Sequence, residues 1–187
     1  MPIPYLFFWM CCFCCLACST NRQFSNNTSN YEATQKKYPT LIKHTTANND
    51  WCKAQYAPAF RVLQLQGKQL YDCLKFQPKA LVYTWVVQAE EQNYPSIDSI
   101  QKHCDSQGIR LYVVADCYQG TLLKKEYALD YPIIGINTIY YQSDAPSIYH
   151  KKFLQDLGII LKEETEGRLH YFQSGNYRGA YKVLESI

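Results

Sequence analysis

From Lys79 to Val87 the chain reads Lys-Ala-Leu-Val-Tyr-Thr-Trp-Val-Val, its longest run of β-branched and aromatic residues outside the amino terminus. Apolar residues on both faces of such a run predict a strand buried on both sides, in the interior of a mixed sheet. A polar stretch follows, Gln88 to Asn93. Ile97, Ile100, His103 and Cys104 then recur at helical spacing, with Asp98, Gln101 and Lys102 around the other sides. Gly108 stands where a C-cap glycine ends a helix, and a second strand is expected from Ile109 to Ala115, closing at Asp116-Cys117-Tyr118. Strand, turn, helix, strand is a βαβ unit. Further on, the spacing predicts a short helix over Leu122 to Leu129 and a third strand over Pro132 to Ile136. Pro146 opens another helix, in which Ile148, Lys152 or Phe153, and Leu157 follow a 3.6-residue period up to a capping Gly158. Arg168 to Gln173 and Tyr177 to Val183 flank a Ser174-Gly175-Asn176 turn, which reads as an antiparallel hairpin.

Upstream of the long apolar run, Pro58 is read as opening a helix that carries Ala59-Phe60-Arg61-Val62-Leu63 and breaks at Gly67. Lys68 to Phe76 continues in helical period, with Leu70, Cys73 and Leu74 on one face, and Pro78 ends it. Ordered structure is expected to begin near Trp51. Residues 19–50 are rich in Ser, Thr and Asn and hold few large apolar side chains. Such a composition buries too little surface to offset the entropy of ordering, so it predicts a flexible tether with a span of roughly 30 Å. Ile3 to Ala17 is almost wholly apolar and uncharged. It has the length of a signal-peptide apolar region and falls short of the ~20 residues a membrane-crossing helix needs.

A chain of 187 residues supports one domain with a sizeable core. The formal charge of +3, with both signs mixed along the chain, argues against a dedicated nucleic-acid surface, which would show a basic stripe. Seventeen tyrosines suit half-buried sheet positions, where a ring packs and its hydroxyl finds a partner.

Candidate chemistry is sparse. The turn after the long strand reads Ala89-Glu90-Glu91-Gln92, without a nucleophile, a metal-ligand pair or a glycine-rich phosphate cradle. Glu90 and Glu91 are adjacent and diverge on any regular element, so they read as solvated charges at a helix start. His103 and Cys104 are neighbours on a helix and do not face each other, which makes them core-packing residues. Cys117, just past a strand end, reads as a buried structural thiol, with a reactive thiol as the alternative. His44 lies in the tether, and His150 and His170 have no companion at ligand spacing, so neither a metal nor a cofactor is expected.

The apolar amino-terminal run ends Cys15-Leu16-Ala17-Cys18-Ser19. This resembles a bacterial lipoprotein signal, in which small residues precede a cysteine that is diacylated and becomes the new amino terminus. The sequence departs from that signal in having Cys15 where leucine is usual and no Lys or Arg before the run. The resemblance implies a lipid on Cys18, membrane attachment through it, and a place in the bacterial cell envelope facing the periplasm. Cysteines 11, 12, 14 and 15 would leave with the signal; Cys52, Cys73, Cys104 and Cys117 would remain beside the lipidated Cys18. An even number fits an oxidising compartment; three pairings, or four structural thiols, stay open.

The order of elements further resembles the thioredoxin fold: a βαβ unit, a helical connection and a final β-hairpin. The specific match is Leu81-Val82-Tyr83-Thr84-Trp85, which is similar to the family strand that ends in an aromatic just before the active-site turn. The resemblance runs from about Phe76 to Val183 and implies an α/β fold, a thioredoxin-like mixed β-sheet flanked by helices. An N-terminal helical extension would precede it, as in membrane-tethered relatives of the thiol-disulfide oxidoreductase and redoxin type. The domains expected are a signal peptide over 1–17, a tether over 18–50 and a thioredoxin-like domain over 51–187. Counted from Trp85, the family's redox cysteines would fall at Ala89 and Gln92, which can form neither a thiolate nor a resolving thiol. The family's proline before the final hairpin is replaced by Glu166-Gly167. The resemblance therefore implies a non-catalytic envelope lipoprotein that binds or tethers another envelope protein, with Gln88 to Tyr94 as the docking turn. The rival is a thiol-disulfide oxidoreductase whose redox cysteine has moved to Cys104 or Cys117; a plain structural lipoprotein is the third reading.

Overall fold

Continuous apolar runs, buried on both faces, build the interior of the sheet, and the helices cover those two faces. The computed structural model describes residues 28–45, 49–52, 61–87, 95–160 and 167–187. In chain order the elements are α1 (Tyr31–Lys37), β1 (Ile42–His44), β2 (Val62–Leu65), α2 (Gly67–Leu74), β3 (Lys79–Trp85) and α3 (Ile97–Gln107). Then come β4 (Arg110–Ala115), α4 (Gly120–Leu123), β5 (Ile133–Ile136), α5 (Thr138–Tyr141), α6 (Pro146–Asp156), β6 (Leu169–Gln173) and β7 (Asn176–Tyr181). Short 3-10 turns lie at Asn49–Cys52 and Leu184–Ser186. The seven strands form one sheet in the order β1-β2-β5-β4-β3-β6-β7. β1 to β5 run parallel to their neighbours, whereas β6 is antiparallel to β3 and β7 to β6. The chain is thus an α/β protein with a mostly parallel sheet.

The expected Lys79–Val87 strand is β3, and it lies in the sheet interior between β4 and β6. Its alternate residues divide between two cores. Leu81, Tyr83 and Trp85 join Leu111, Val113 and Ala115 of β4 and Ile97, Ile100 and Cys104 of α3 on one face. Ala80 and Val82 join Tyr112 and Val114, with Leu70, Cys73 and Leu74 of α2 and Phe153 and Leu154 of α6, on the other. This double burial explains why β3 reads as a continuous apolar run rather than an alternating one. The hairpin forms as expected: Ser174 and Gly175 both take positive φ, 49° and 76°, and Gln173 pairs with Asn176. Gly108 and Gly158 also adopt the left-handed conformation at the ends of α3 and α6.

The N-terminal third corrects several expectations. No flexible tether occupies residues 28–45; they give α1 and β1, which pairs in parallel with β2 through Ile42 and Val62. Tyr31 and Thr34 bury one face of α1, and Leu41 and Ile42 are buried ahead of the sheet edge. The N-terminal helical extension holds only in its second half: the helix expected over Lys68 to Phe76 is α2, with Leu70, Cys73 and Leu74 buried, while the first half is replaced. Residues 53–60 lie outside those described, but Val62-Leu63-Gln64-Leu65 is strand β2, with all four residues buried between β1 and β5. Parallel neighbours on both sides outweigh the helical spacing there, because strand formation follows packing context more than local preference. Gly67 starts α2 instead of breaking a helix.

Smaller corrections have equally local causes. The Leu122–Leu129 helix stops at Leu123, because the Ala128 N–H donates to the Asp98 carboxylate on α3 (2.9 Å) and Tyr127 packs edge-on against Trp85. Gln101 lies on the buried side of α3, its amide donating to Asp105 at 2.6 Å. Ile148 is exposed, and α6 instead buries Tyr149, His150, Phe153 and Leu154. Among the cysteines, Cys52 and Cys73 form a disulfide with Cα atoms 5.4 Å apart, tying the 49–52 turn to α2. Cys104 and Cys117 take no part in it.

Candidate functional site

Strands β1 to β5 share one direction, so their carboxyl ends lie along one edge of the sheet, the usual place for a ligand in parallel α/β structures. Three consecutive residues after β4 organise that edge. Asp116 is fully buried. Its carboxylate accepts the Val87 N–H at 3.1 Å, its own N–H donates to the Trp85 carbonyl at 2.9 Å, and its carbonyl accepts the Tyr149 hydroxyl. It therefore fixes the ends of β3 and β4 to each other and to α6. Cys117 follows, 2 % exposed, within the core that also holds Cys104.

Tyr118, the third, spans the edge sideways. Its hydroxyl donates to the Ile136 carbonyl at 2.6 Å and accepts the Gln64 amide at 3.1 Å. The ring lies on Gly135, where a Cβ would come within 2.6 Å of it, so only glycine lets the ring cross β5. Tyr118 donates its N–H to the Ser29 carbonyl at 2.7 Å, its carbonyl accepts the Thr34 hydroxyl, and the Tyr31 ring meets it edge-on at 5.2 Å. The N-terminal segment thus docks on the carboxyl edge. Burial pushes the hydroxyls of Tyr118 and Tyr149 well above the ordinary tyrosine range, so both stay neutral donors.

Beside this hub an open cleft of about 530 Å³ is lined by residues of 28–33 and of 138–144, which the Ser29–Asp144 hydrogen bonds join. Asn30, Tyr31 and Glu32 line one wall, and Thr138, Gln142 and Asp144 the other. Ile139 of α5 also lines it, 67 % exposed. Asn30 and Gln142, both in the left-handed conformation, shape the two walls. The lining offers hydrogen-bonding groups and an apolar rim but no thiol and no histidine. Among the described residues, no group of three His, Cys, Asp or Glu could hold a metal ion.

The sequence-predicted residues fall differently. Cys18, Ala89, Gln92 and the Gln88–Tyr94 turn lie outside the described residues. Cys104 is wholly buried, and its thiol is pushed up to about 12, first by burial and then by the Asp105 charge. A thiol so placed is not a thiolate at neutral pH. His44 is exposed on β1, 3.1 Å from the Tyr31 hydroxyl, and His150 and His170 are buried on separate elements. The Ser29–Tyr118–Asp144 arrangement went unread. The signal for it was Tyr31, Thr34 and Tyr38 at i, i+3 and i+7 in a segment otherwise polar. Among the described residues, no helix is long and apolar enough to cross a membrane. Neither a family model, nor a curated protein, nor a solved structure matches the chain.

Proposed function

We propose that this chain is a non-catalytic, thioredoxin-like protein-binding module, held in a bacterial envelope by a lipid on Cys18 and engaging its partner at the carboxyl edge of the sheet. The observation that carries the non-catalytic half is that, among the described residues, both thiols outside the disulfide are buried, Cys104 at 0 % and Cys117 at 2 % exposure. A redox thiol has to reach its substrate as a thiolate; both of these are buried, and burial pushes the Cys104 thiol up to about 12. The βαβ unit β3-α3-β4 with the β6-β7 hairpin beside it fits the thioredoxin-like reading. A disulfide between Cys52 and Cys73 suits an oxidising compartment such as the envelope. The cleft with its exposed Ile139 supplies polar groups beside an apolar one, the composition of a docking surface.

Two measurements test this reading. The purified chain should not turn over a mixed-disulfide substrate; turnover abolished by Cys104→Ser or Cys117→Ser would replace it with the oxidoreductase reading. In intact cells, cross-linking should give a discrete heterocomplex that Ile139→Glu abolishes while leaving the fold intact. A cross-linking pattern unchanged by Ile139→Glu would remove the cleft from the account.

A further inference from the structure

Tyr38 sits where two parts of the chain converge. Its ring rests on Gly120, where any Cβ would strike it. Lys37 Nζ lies 5.3 Å from the ring centre and Lys124 Nζ 4.6 Å, so two ammonium groups from distant elements share one aromatic ring. Lys36 and Lys125 adjoin them in sequence, and all four lysines are exposed. Lys36 and Lys37 come from the last turn of α1 and Lys124 from the C-cap of α4, so two helix ends bring their cations to one ring. Glu126 is held by Arg61 at 2.8 Å, and Glu32 is at the opposite end of α1. An exposed cluster of one sign around an aromatic ring is the chemistry of an anionic surface.

We propose that Lys36, Lys37, Lys124 and Lys125, grouped around Tyr38, lie against an anionic lipid bilayer and set the orientation of the domain. This rests on the lipid-anchored reading above. What selects a bilayer over an acidic protein is covalent reach. Cys18 is ten residues before Thr28, a span of at most about 35 Å even fully extended. α1 adds only about 10 Å between its start and the cluster. A bilayer holding the lipid is therefore always within reach of these lysines. An amphipathic Tyr38 among them suits the headgroup level, where aromatic rings settle.

The experiment uses the full chain, produced in a host that acylates it, and vesicles of neutral phosphatidylcholine with or without about a third phosphatidylglycerol. Binding to neutral vesicles reports the lipid, and the increment on anionic vesicles reports the lysines. Each lysine near such a surface is worth roughly fivefold in partitioning. Changing Lys36, Lys37, Lys124 and Lys125 to Gln should therefore cut the anionic increment at least tenfold, as should high salt. The same net charge change at Lys68, Lys79, Lys102 and Lys151, all exposed elsewhere, should cost far less. Loss of neutral binding with the increment retained would remove the anchor and leave the patch. Equal losses in the two quadruple variants, or no increment in the wild type, would overturn the patch and turn attention to an acidic protein partner.

Discussion

Ser29 and Asp144, 115 residues apart, close the N-terminal segment onto the loop before α6. The Ser29 N–H donates to the Asp144 carbonyl at 2.8 Å, and the Ser29 hydroxyl donates to the Asp144 carboxylate. Ser29 is fully buried, and its hydroxyl also accepts the Tyr31 N–H at 3.2 Å, so the clamp also sets the start of α1. Replacing Asp144 with Ala leaves a buried hydroxyl without its acceptor and should cost ~1–3 kcal/mol. Urea unfolding of Asp144→Ala beside the wild type checks this, with an unchanged midpoint as the contrary result.

Removing the segment altogether should cost more. A chain starting near Asn49 lacks α1 and β1, which uncovers the β2 edge at Val62 and the ring of Tyr118. The expected outcome is a loss of well over ~1 kcal/mol, beyond an ordinary point mutation, or of cooperative unfolding itself. Full retention of the unfolding midpoint would show that residues 28–45 add nothing to the domain.

Gly135 and Tyr118 should behave as one unit. A methyl at 135 meets the Tyr118 ring, so Gly135→Ala should destabilise by ~1–3 kcal/mol, the usual cost of overpacking. In a Tyr118→Ala background the same change should cost much less, a coupling that a double-mutant cycle reads directly. Additive effects would mean that the ring does not cross the strand.

The Cys52–Cys73 bridge closes a sequence separation of 21 residues, for which chain entropy gives about 3 kcal/mol. Reduction, or Cys52→Ser with Cys73→Ser, should lower stability by that order. Thermal unfolding with and without reductant measures it, and identical transitions would exclude the bridge.

Stability should fall on the alkaline side. The folded Cys104 thiol, at about 12, lies above its unfolded value, so the native state holds the proton that the unfolded chain releases. Its contribution is complete below the unfolded thiol pKa of ~8.5 and is lost as pH rises toward the folded value, by up to about 1.4 kcal/mol per pH unit. Buried Tyr112, Tyr118, Tyr141 and Tyr149, all raised by desolvation, add to the decline at higher pH. Cys104→Ala should remove nearly all of this slope near pH 9–10, before the unfolded tyrosines titrate, and only part of it above about pH 10, which pH-dependent urea unfolding of variant and wild type checks.

Much of the α/β core was legible because its strands and helices carry their own signals. β3, β4, β5, α3, α6 and the hairpin all show apolar periodicity bounded by glycine or proline. β1 and β2 were not legible, since three or four residues such as Val62-Leu63-Gln64-Leu65 suit a helix face as well as a strand. Their identity comes from parallel partners distant in sequence. The same holds for the hub: nothing local marks Tyr118 as the residue that joins Ser29, Gln64 and Ile136. The disulfide, too, was one of several open pairings until α2 and the 49–52 turn were placed side by side.

The central claim, that no thiol of the folded domain is available for redox chemistry, is tested most directly by alkylation kinetics. Native, non-reduced protein would be exposed to iodoacetamide from pH 7 to 10 and the modification of Cys104 and Cys117 followed by mass spectrometry. The account predicts modification of neither on the timescale that labels a small thiol, with full modification of both once the chain is unfolded. Rapid labelling of either cysteine in the folded protein at pH 7 would contradict it and point to a displaced redox centre.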